Sequence, residues 1–243
     1  MIVLRGADVV LPDRVLTGGT LVIDDGRIVE IRPDSHASHA SAFAFHGHTI
    51  VPGFVDVHVH GVSGVDTLDE GDAVATLASV LPRYGVTAFC PTTVACGPDA
   101  LSRVLRQVGA CRTSPAVRAA RVLPAHLESN FINPEYCGAQ PADCLRTPLN
   151  GSDILDVITA HTADIGIVTL APELEGALDL IAWLTGRGIR VSLGHSGASC
   201  DVARAAMAAG ASQATHLFNR MPPLHHRDPG LAGAVLQNPD VVA

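Results

Sequence analysis

The sequence predicts an α/β fold in which a small antiparallel β unit is followed by a parallel sheet with helices. Three observations predict it. Residues 1 to about 50 contain short apolar runs broken by turn residues such as Asp25-Gly26. From Thr49 onward, an apolar strand followed by a helical stretch recurs several times, which is typical of βα units on a parallel sheet. The length of 243 residues is close to the roughly 250 of one α/β barrel. We therefore expect a β domain over residues 1–50 and a barrel-type domain over residues 51–243.

Six strands are predicted in the second domain, at residues 54–60, 87–92, 121–128, 165–171, 190–195 and 212–218. Helices are predicted between them, at residues 72–84, 99–108, 151–163, 176–187 and 200–209. An eight-stranded barrel takes roughly 30 residues per βα unit, so residues 219–243 are too few for two more units. Either the sheet is open or the chain is incomplete. Asn238, Pro239 and Asp240 are expected to begin a further helix, because a capping residue, a proline and an acid stand in that order.

The composition of the chain indicates its general class and disfavours some kinds of partner. Hydrophobic residues make up 47% of the chain and charged residues 16%, which predicts a globular protein with a core. The net charge of -8 and the aromatic content of 4% disfavour a nucleic-acid partner. The six cysteines form no C-x-x-C pair, which favours a reduced, cytoplasmic protein. Charged residues interrupt the first apolar run, so we expect neither a signal peptide nor a membrane partner.

Two histidines end the first predicted strand of the sheet, in the run VDVHVHG at residues 55–61. Side chains two apart on a strand share a face, so Asp56, His58 and His60 point the same way. Two imidazoles at a strand end indicate a metal site. A hydrogen-bonded histidine pair beside a turn is the alternative that this motif leaves open.

Further candidate ligands end later strands. His126 and Glu128 close the run VLPAHLE, His195 follows VSLG, and His216 lies in ATHLFN. Functional groups of parallel barrels gather at the carboxyl ends of the strands, and a buried carboxylate there needs a partner. A salt bridge at the rim of the sheet stays open for Glu128. Two histidines and a carboxylate with an open position are, however, a familiar zinc environment.

Four segments carry a resemblance to a known family. They are PGFVDVHVHG (52–61), HLE (126–128) with FINPEYCGAQ (131–140), SLGHS (192–196), and THLFN with MPPLHHRDPGLAG (215–233). The chain resembles the amidohydrolase superfamily and, within it, the N-acetylglucosamine-6-phosphate deacetylases, over its whole length. The resemblance implies a (β/α)8 TIM-type barrel, with about six strands in this chain, and a small amino-terminal β-sandwich-like domain.

The resemblance also implies the metal ligands. Glu128, His195 and His216 match the principal ligands of the family. His58 and His60 match a pair that supports a second metal in some members and is replaced in others. A divalent metal is therefore expected, with zinc as the first choice and one or two ions.

Substrate contacts are implied in the same way. Asn219 matches a segment that contacts the substrate phosphate, and Ala139, Gln140 and Arg220 fall at substrate-binding positions. Arg227 matches an arginine that reaches the phosphate bound by a neighbouring subunit, which implies a homodimer. A solvated surface ion pair is the alternative for Arg227.

Three departures from the family pattern stand out. Ser129 and Asn130 replace Gly-Pro after the ligand glutamate, where they either reshape the sugar pocket or add a hydrogen bond. Arg220 replaces an alanine, and Gln140 replaces a histidine that contacts substrate. The family's general-base aspartate is expected beyond Ala243, so no catalytic residue is assigned within this chain.

Three functions follow from these observations. The first is metal-dependent hydrolysis of the N-acetyl group of N-acetylglucosamine 6-phosphate, giving glucosamine 6-phosphate and acetate. The second keeps the same machinery for a different N-acyl amino sugar or a cyclic amide. The third is a truncated product without catalytic activity.

Overall fold

The computed structural model describes residues 1–33 and 42–243, which form two compact units, Met1–Gly53 and Phe54–Ala243. Five strands of the first unit form one sheet, namely β1 (Ile2–Val10), β2 (Val15–Asp24), β3 (Arg27–Pro33), β4 (Ala42–Ala44) and β5 (Thr49–Ile50). Asp25 and Gly26 turn the chain between β2 and β3 with φ angles of 46° and 70°. This is the paired positive-φ turn that the dipeptide predicts.

The expectation of a purely antiparallel first unit is wrong. β1, β2 and β3 are antiparallel neighbours, but β4 and β5 both run parallel to β1. β4 and β5 lie on the side of β1 that β2 leaves free, and their parallel direction excludes a simple hairpin pairing with β1. The described strands form a single sheet, and a sandwich-like second layer stays a prediction.

The second unit is a curled parallel sheet with helices, as in part of a TIM-type barrel. Its strands are β6 (Phe54–Val59), β9 (Val86–Thr93), β10 (Arg121–Val122), β11 (Ala125–Glu128), β12 (Ile165–Leu170), β13 (Arg190–Leu193) and β14 (Gln213–Ala214). β9 lies between β6 and the pair β10 and β11, and the order then continues β11-β12-β13-β14, all parallel. A small hairpin of β7 (Gly61–Val62) and β8 (Val65–Asp66) follows β6. Consecutive strands are neighbours, so their carboxyl ends meet at one edge.

Six helices pack against this sheet: α1 (Ala73–Val80), α2 (Pro98–Thr113), α3 (Ser152–Ala160), α4 (Ala177–Thr185), α5 (Cys200–Ala208) and α6 (Gly230–Leu236). Short 3₁₀ turns occur at Leu81–Tyr84, Pro134–Tyr136, Ala142–Cys144 and Thr162–Asp164. In α2 the buried positions Leu101, Val104, Leu105 and Val108 follow the i, i+3, i+4, i+7 spacing of a helix with one apolar face. Burial of each such side chain contributes about 1.5–3 kcal/mol, which holds the helix on the sheet. Among the described helices, none combines the length and the apolar character needed to cross a membrane.

The structure differs from the predicted elements at three places. The strand predicted at 121–128 divides into β10 and β11, because Pro124 has no backbone N–H for the ladder. The strand predicted at 212–218 ends at Ala214, because positive φ angles at His216 (33°) and Phe218 (75°) turn the chain. The third difference lies at the carboxyl end of the chain.

The helix predicted from Asn238 is absent. The side-chain oxygen of Asn238 accepts a hydrogen bond from the N–H of Asp240 (3.0 Å), which makes a turn. Val242 then pairs in parallel with Gln213 of β14. Asparagine and proline are turn formers as well as helix-starting residues, and here the strand pairing of Val242 decides between the two. α6, which the sequence did not predict, consists of glycine, alanine and aliphatic residues only.

Candidate metal centre

Glu128, the last residue of β11, is the centre of a cluster of histidines. It is 3% exposed. Its Oε1 lies 2.9 Å from Nε2 of His195 and 3.0 Å from Nε2 of His216. Its Oε2 lies 3.2 Å from Nε2 of His60, and Nε2 of His58 is 3.8 Å from Oε1. The structure therefore brings all five predicted metal ligands together.

The cluster consists of two groups that share one carboxylate. Potential ligand atoms lie within 4.8 Å of one another in the group of His58, His60 and Glu128, and likewise in the group of Glu128, His195 and His216. His58 and His60 approach each other to 3.1 Å between Nε2 atoms, and so do His195 and His216. The arrangement offers donors for one ion or for two.

The tautomer of His195 tests whether the cluster fits a cation. Nδ1 of His195 is 2.9 Å from the backbone oxygen of Tyr136, which can only accept, so Nδ1 carries the hydrogen. In the neutral ring Nε2 then points a lone pair at the Glu128 carboxylate 2.9 Å away. Two acceptors at this distance need a proton or a cation between them. Nitrogen and oxygen donors of this kind suit a divalent cation such as zinc. A metal-binding histidine is usually held by a backbone carbonyl or a carboxylate that accepts a hydrogen bond from its other ring nitrogen, as Tyr136 does here.

The electrostatics agree with this reading. Burial raises the pKa of Glu128, but the interactions of its carboxylate with His195, His216 and His60 outweigh burial and hold the pKa far below its usual range. The hydrogen bond to Glu128 raises the pKa of His60 and of His216. Burial lowers the pKa of His58. Glu128 is thus an anion at any ordinary pH, and the groups around it stabilise its negative charge.

His126, which precedes Glu128 by two residues, is not free to bind a metal. Its Nδ1 donates to the backbone oxygen of Val57 at 2.9 Å, and its Nε2 accepts from the hydroxyl of Thr169 at 2.7 Å. Burial lowers its pKa to about 4. His126 is therefore a neutral ring that packs edge-on against His58, with 4.8 Å between ring centroids.

Gln140 is part of the support of Glu128. Its Nε2 donates to Oε2 of Glu128 at 2.6 Å, and its Oε1 accepts from the N–H of Ala95 at 2.7 Å. Both the nitrogen and the oxygen of this buried amide therefore form hydrogen bonds within the protein. The sequence placed Gln140 at a substrate position; in the structure it fixes the rotation of the ligand carboxylate.

Ser129 and Asn130 are also bonded into the scaffold. The hydroxyl of Ser129 donates to the backbone oxygen of Thr169 at 2.6 Å. The amide of Asn130 donates to the backbone oxygens of Cys96 and Cys144, each at 2.7 Å. Of the two effects considered for this departure, the structure shows added hydrogen bonds, which link the segments after β9 and β11.

The predicted phosphate residues lie on exposed loops. The N–H of Asn219 donates to the backbone oxygen of His216 at 2.9 Å, so Asn219 closes a turn that begins at this predicted ligand. The side chain of Arg220 lies against Gly138, beside the exposed Ala139. Arg227 is exposed in the loop before α6. The structure thus brings Arg220 to Gly138, the residue before Ala139, and bonds the backbone of Asn219 to that of His216.

Sequence reasoning missed two residues that support the centre. The backbone oxygen of Tyr136 holds His195, and Glu173, in the loop after β12, bonds to the residues that follow His195. Glu173 stands in the run APE after an apolar strand, which is the same signal that singled out Glu128. Tyr136 acts through its backbone oxygen, so no side-chain pattern in the sequence predicts its role.

No protein-family model matches the chain. An N-acetylglucosamine-6-phosphate deacetylase of Rattus norvegicus is 41% identical over an alignment of 236 residues, and the alignment covers 90% of this chain and 56% of that protein. An N-acetylgalactosamine-6-phosphate deacetylase of Escherichia coli O157:H7 is 36% identical over 96% of this chain and 61% of its own length.

A solved structure of an N-acetyl-D-glucosamine-6-phosphate deacetylase variant from Mycobacterium smegmatis, in complex with N-acetyl-D-glucosamine-6-phosphate, superposes with a TM-score of 0.87. It is 32% identical and covers 99% of this chain and 62% of its own. The chain spans a little over half the length of the curated relatives it matches. By sequence and by fold, the chain is similar to N-acetylglucosamine-6-phosphate deacetylases over nearly all of its own length and over a little more than half of theirs.

Proposed function

We propose that the protein hydrolyses the N-acetyl group of N-acetylglucosamine 6-phosphate, releasing acetate and glucosamine 6-phosphate in amino sugar catabolism. The observation that carries the proposal is the carboxylate of Glu128, which is shared by two pairs of histidines at the carboxyl ends of parallel strands. Relatives named for this reaction support the choice of substrate. All six cysteines are free thiols, which supports a cytoplasmic setting.

The donor set supports zinc as the divalent ion. Glu128, His195 and His216 would hold it, and His58 and His60 would hold a second ion with the same carboxylate. A divalent cation in such a site lowers the pKa of a water molecule and polarises a carbonyl. The chain supplies the anion, the ring orientation at His195 through Tyr136, and the carboxylate rotation through Gln140.

Proton transfer to the departing amine needs a further group. Glu128 is already used by its histidines and by Gln140, so it is unsuited to carry a proton. The family resemblance assigns that step to an aspartate outside residues 1–243. Deacetylation is therefore a property that we propose for the protein that carries both parts.

For the phosphate we propose Asn219, Arg220 and Arg227. A guanidinium suits a phosphate dianion because its N–H groups pair with two oxygens at once. Arg220, whose side chain lies against Gly138, and Arg227 are both exposed, so each is available to a ligand. In keeping with the resemblance, we propose that Arg227 acts across a homodimer.

A second substrate is N-acetylgalactosamine 6-phosphate. It is favoured by the relative from Escherichia coli, which matches 96% of this chain. The two sugars differ only in the configuration at one ring carbon, so the same metal centre and phosphate contacts serve both. Another N-acyl amino sugar or a cyclic amide requires the same centre with a different pocket.

The test is acetate release by the gene product that contains these residues. N-acetylglucosamine 6-phosphate, its galactosamine isomer and unphosphorylated N-acetylglucosamine are compared at equal concentration. We expect the first to be the preferred substrate, Glu128→Gln to abolish activity, and Glu175→Gln, a change at an exposed glutamate, to leave it unchanged. Preference for the isomer would support the second candidate. Activity retained by Glu128→Gln would contradict the proposed site.

A further inference from the structure

Glu173 joins two loops that surround the metal centre. Its Oε1 accepts hydrogen bonds from the side-chain amide of Asn133 at 2.8 Å and from the N–H of Gly197 at 2.6 Å. Its Oε2 accepts from the hydroxyl of Ser196 at 2.7 Å. Asn133 belongs to the segment after β11, and Ser196 and Gly197 follow β13. One carboxylate therefore fixes the spacing between these two segments.

Both segments act on His195. The N–H of Asn133 donates to the backbone oxygen of His195 at 3.0 Å. The oxygen of Asn133 caps the turn Pro134–Tyr136 by accepting from the N–H of Glu135 at 2.9 Å. The backbone oxygen of Tyr136, at the end of that turn, then accepts from Nδ1 of His195. The side chain of Asn133 is thus bonded at one end to Glu173 and at the other to the turn that sets the tautomer of His195.

The backbone of His195 needs this support. Its φ is 50°, a conformation that costs on the order of 1 kcal/mol or more for a residue with a side chain and persists only where its surroundings hold it. Ser196 and Gly197, the next two residues, are both bonded to Glu173. Gly197 also packs against the ring of Tyr136, since a Cβ there would lie 2.6 Å from Cε2 of the ring.

A carboxylate is the side chain that this position requires. Three donors converge on two oxygens, and an ionised carboxylate accepts only. An amide would place an NH₂ group against the hydroxyl of Ser196. That hydroxyl already accepts a hydrogen bond from the N–H of Ala198 at 3.0 Å. Beside an NH₂ group it would have to accept a second one, and its own hydrogen would have no acceptor at residue 173. Glutamine is therefore a weaker substitute, and alanine removes the acceptor of all three donors.

We propose that Glu173 is a positioning residue for the metal centre, which acts by setting the backbone and the ring tautomer of His195. Glu173 does not touch the ligand atoms. Its effect passes through Asn133 and Tyr136 on one side and through Ser196 and Gly197 on the other. This inference rests on the proposed function, because His195 is taken there as a metal ligand.

The first arm of the test is zinc binding, measured by competition with a chromophoric chelator at pH 7.5. Residues that support a ligand histidine typically contribute 10–100-fold to metal affinity. We expect Glu173→Ala to weaken zinc binding by 10–100-fold and Glu173→Gln to weaken it less. Glu175→Ala, at an exposed glutamate two residues away, is the matched control and should bind zinc as the wild type does.

A double-mutant cycle separates positioning from general stability. In a His195→Ala background, Glu173→Ala should weaken the remaining zinc binding by less than about twofold, because the residue on which it acts is gone. An equal loss in both backgrounds would overturn the proposal. So would wild-type affinity in Glu173→Ala.

The second arm needs no metal. In the metal-free protein, the ¹⁵N chemical shifts of the His195 ring report which nitrogen carries the hydrogen. We expect Nδ1 to carry a hydrogen throughout the wild type and in only part of the Glu173→Ala molecules. Unchanged shifts in the variant would overturn the inference. If the wild type bound no zinc, the proposed function would fail while this arm would still decide the role of Glu173.

Discussion

Glu128 is a buried anion whose neighbours are bases, and this predicts how metal binding depends on pH. The hydrogen bond to Glu128 raises the pKa of His60 and of His216, so in the metal-free cluster these two rings hold a proton more tightly than free imidazoles do. Binding of these protons stabilises the folded protein. The stabilisation is complete below the unfolded histidine pKa of about 6.5 and is lost as the pH rises through the raised pKa values of His60 and His216. A cation binds the unprotonated rings and must displace these protons.

Zinc affinity is therefore expected to rise with pH, by about tenfold per pH unit for each displaced proton while the pH lies below the raised values. Calorimetric titration at pH 6, 7 and 8, in two buffers of different ionisation enthalpy, measures both the affinity and the protons released. Equal affinity at pH 6 and pH 8 with no proton release would show that the cation binds elsewhere.

Arg227 gives a second prediction at the scale of one residue. If its guanidinium pairs with the substrate phosphate, Arg227→Ala raises the KM for a 6-phosphorylated substrate far more than for the unphosphorylated analogue. The alternative is an exposed surface pair worth at most about 1 kcal/mol, whose loss affects both substrates alike. Steady-state kinetics of the active protein on both substrates decide this. Arg204→Ala, at an exposed arginine of α5 that bonds Gln237, is the control.

Among the elements, the loop after β13 is the one on which the centre depends most closely. Gly197 packs against Tyr136 so tightly that a Cβ would lie 2.6 Å from the ring. Gly197→Ala should displace Tyr136, destabilise the protein by about 1–3 kcal/mol as other overpacked sites do, and weaken zinc binding. Chemical denaturation and zinc titration measure the two effects.

Gly97 provides the comparison for that variant. It has an ordinary φ of -69°, and nothing lies within 4 Å of its Cβ position. Gly97→Ala should change stability much less and leave zinc affinity at the wild-type value. If Gly97→Ala and Gly197→Ala had equal effects on zinc affinity, the contact between Gly197 and Tyr136 would have no role in the centre.

The sequence predicts most elements of the barrel-type unit, because apolar periodicity controls where its helices and long strands form. β9, β12 and α5 fall within one or two residues of their predicted bounds. The errors occur where tertiary contacts outweigh local signals, as at Val242, which pairs with Gln213 in place of the expected helix. Glu128 and His195 could be found because charged or imidazole groups ended apolar strands. Gln140 supports the centre through a contact between distant segments, which no local pattern reveals. Glu173 shows the same local signal as Glu128, a charged group after an apolar strand, but the sequence does not show which segments it joins.

At the scale of the whole molecule, β6 is an exposed element. Among the described residues it pairs only with β9, and Phe54, Val55 and Val57 are 58%, 59% and 44% exposed. An apolar strand with a free edge associates with other chains. We therefore expect residues 1–243, expressed by themselves, to self-associate, to bind metal weakly and to release no measurable acetate.

Light scattering after size-exclusion chromatography tests this expectation. Val55→Lys should increase the monomer fraction, because a charge on the strand opposes edge-to-edge pairing. Val117→Lys adds the same charge at a loop residue that is 91% exposed and should have no such effect. A monomeric, cooperatively unfolding and active chain of residues 1–243 would contradict this view of β6.

The most direct test of the account is the metal content of the purified gene product that contains these residues, as wild type and as the variants Glu128→Gln, His195→Ala and His58→Ala. Inductively coupled plasma mass spectrometry measures it. The structure places His195 2.9 Å from Glu128 and His58 3.8 Å from it. We expect one or two divalent ions, zinc foremost, in the wild type, loss of metal in the first two variants, and a smaller loss in His58→Ala. Equal loss in His58→Ala and His195→Ala would indicate one inseparable two-metal centre. Unchanged metal content in both Glu128→Gln and His195→Ala would contradict the site.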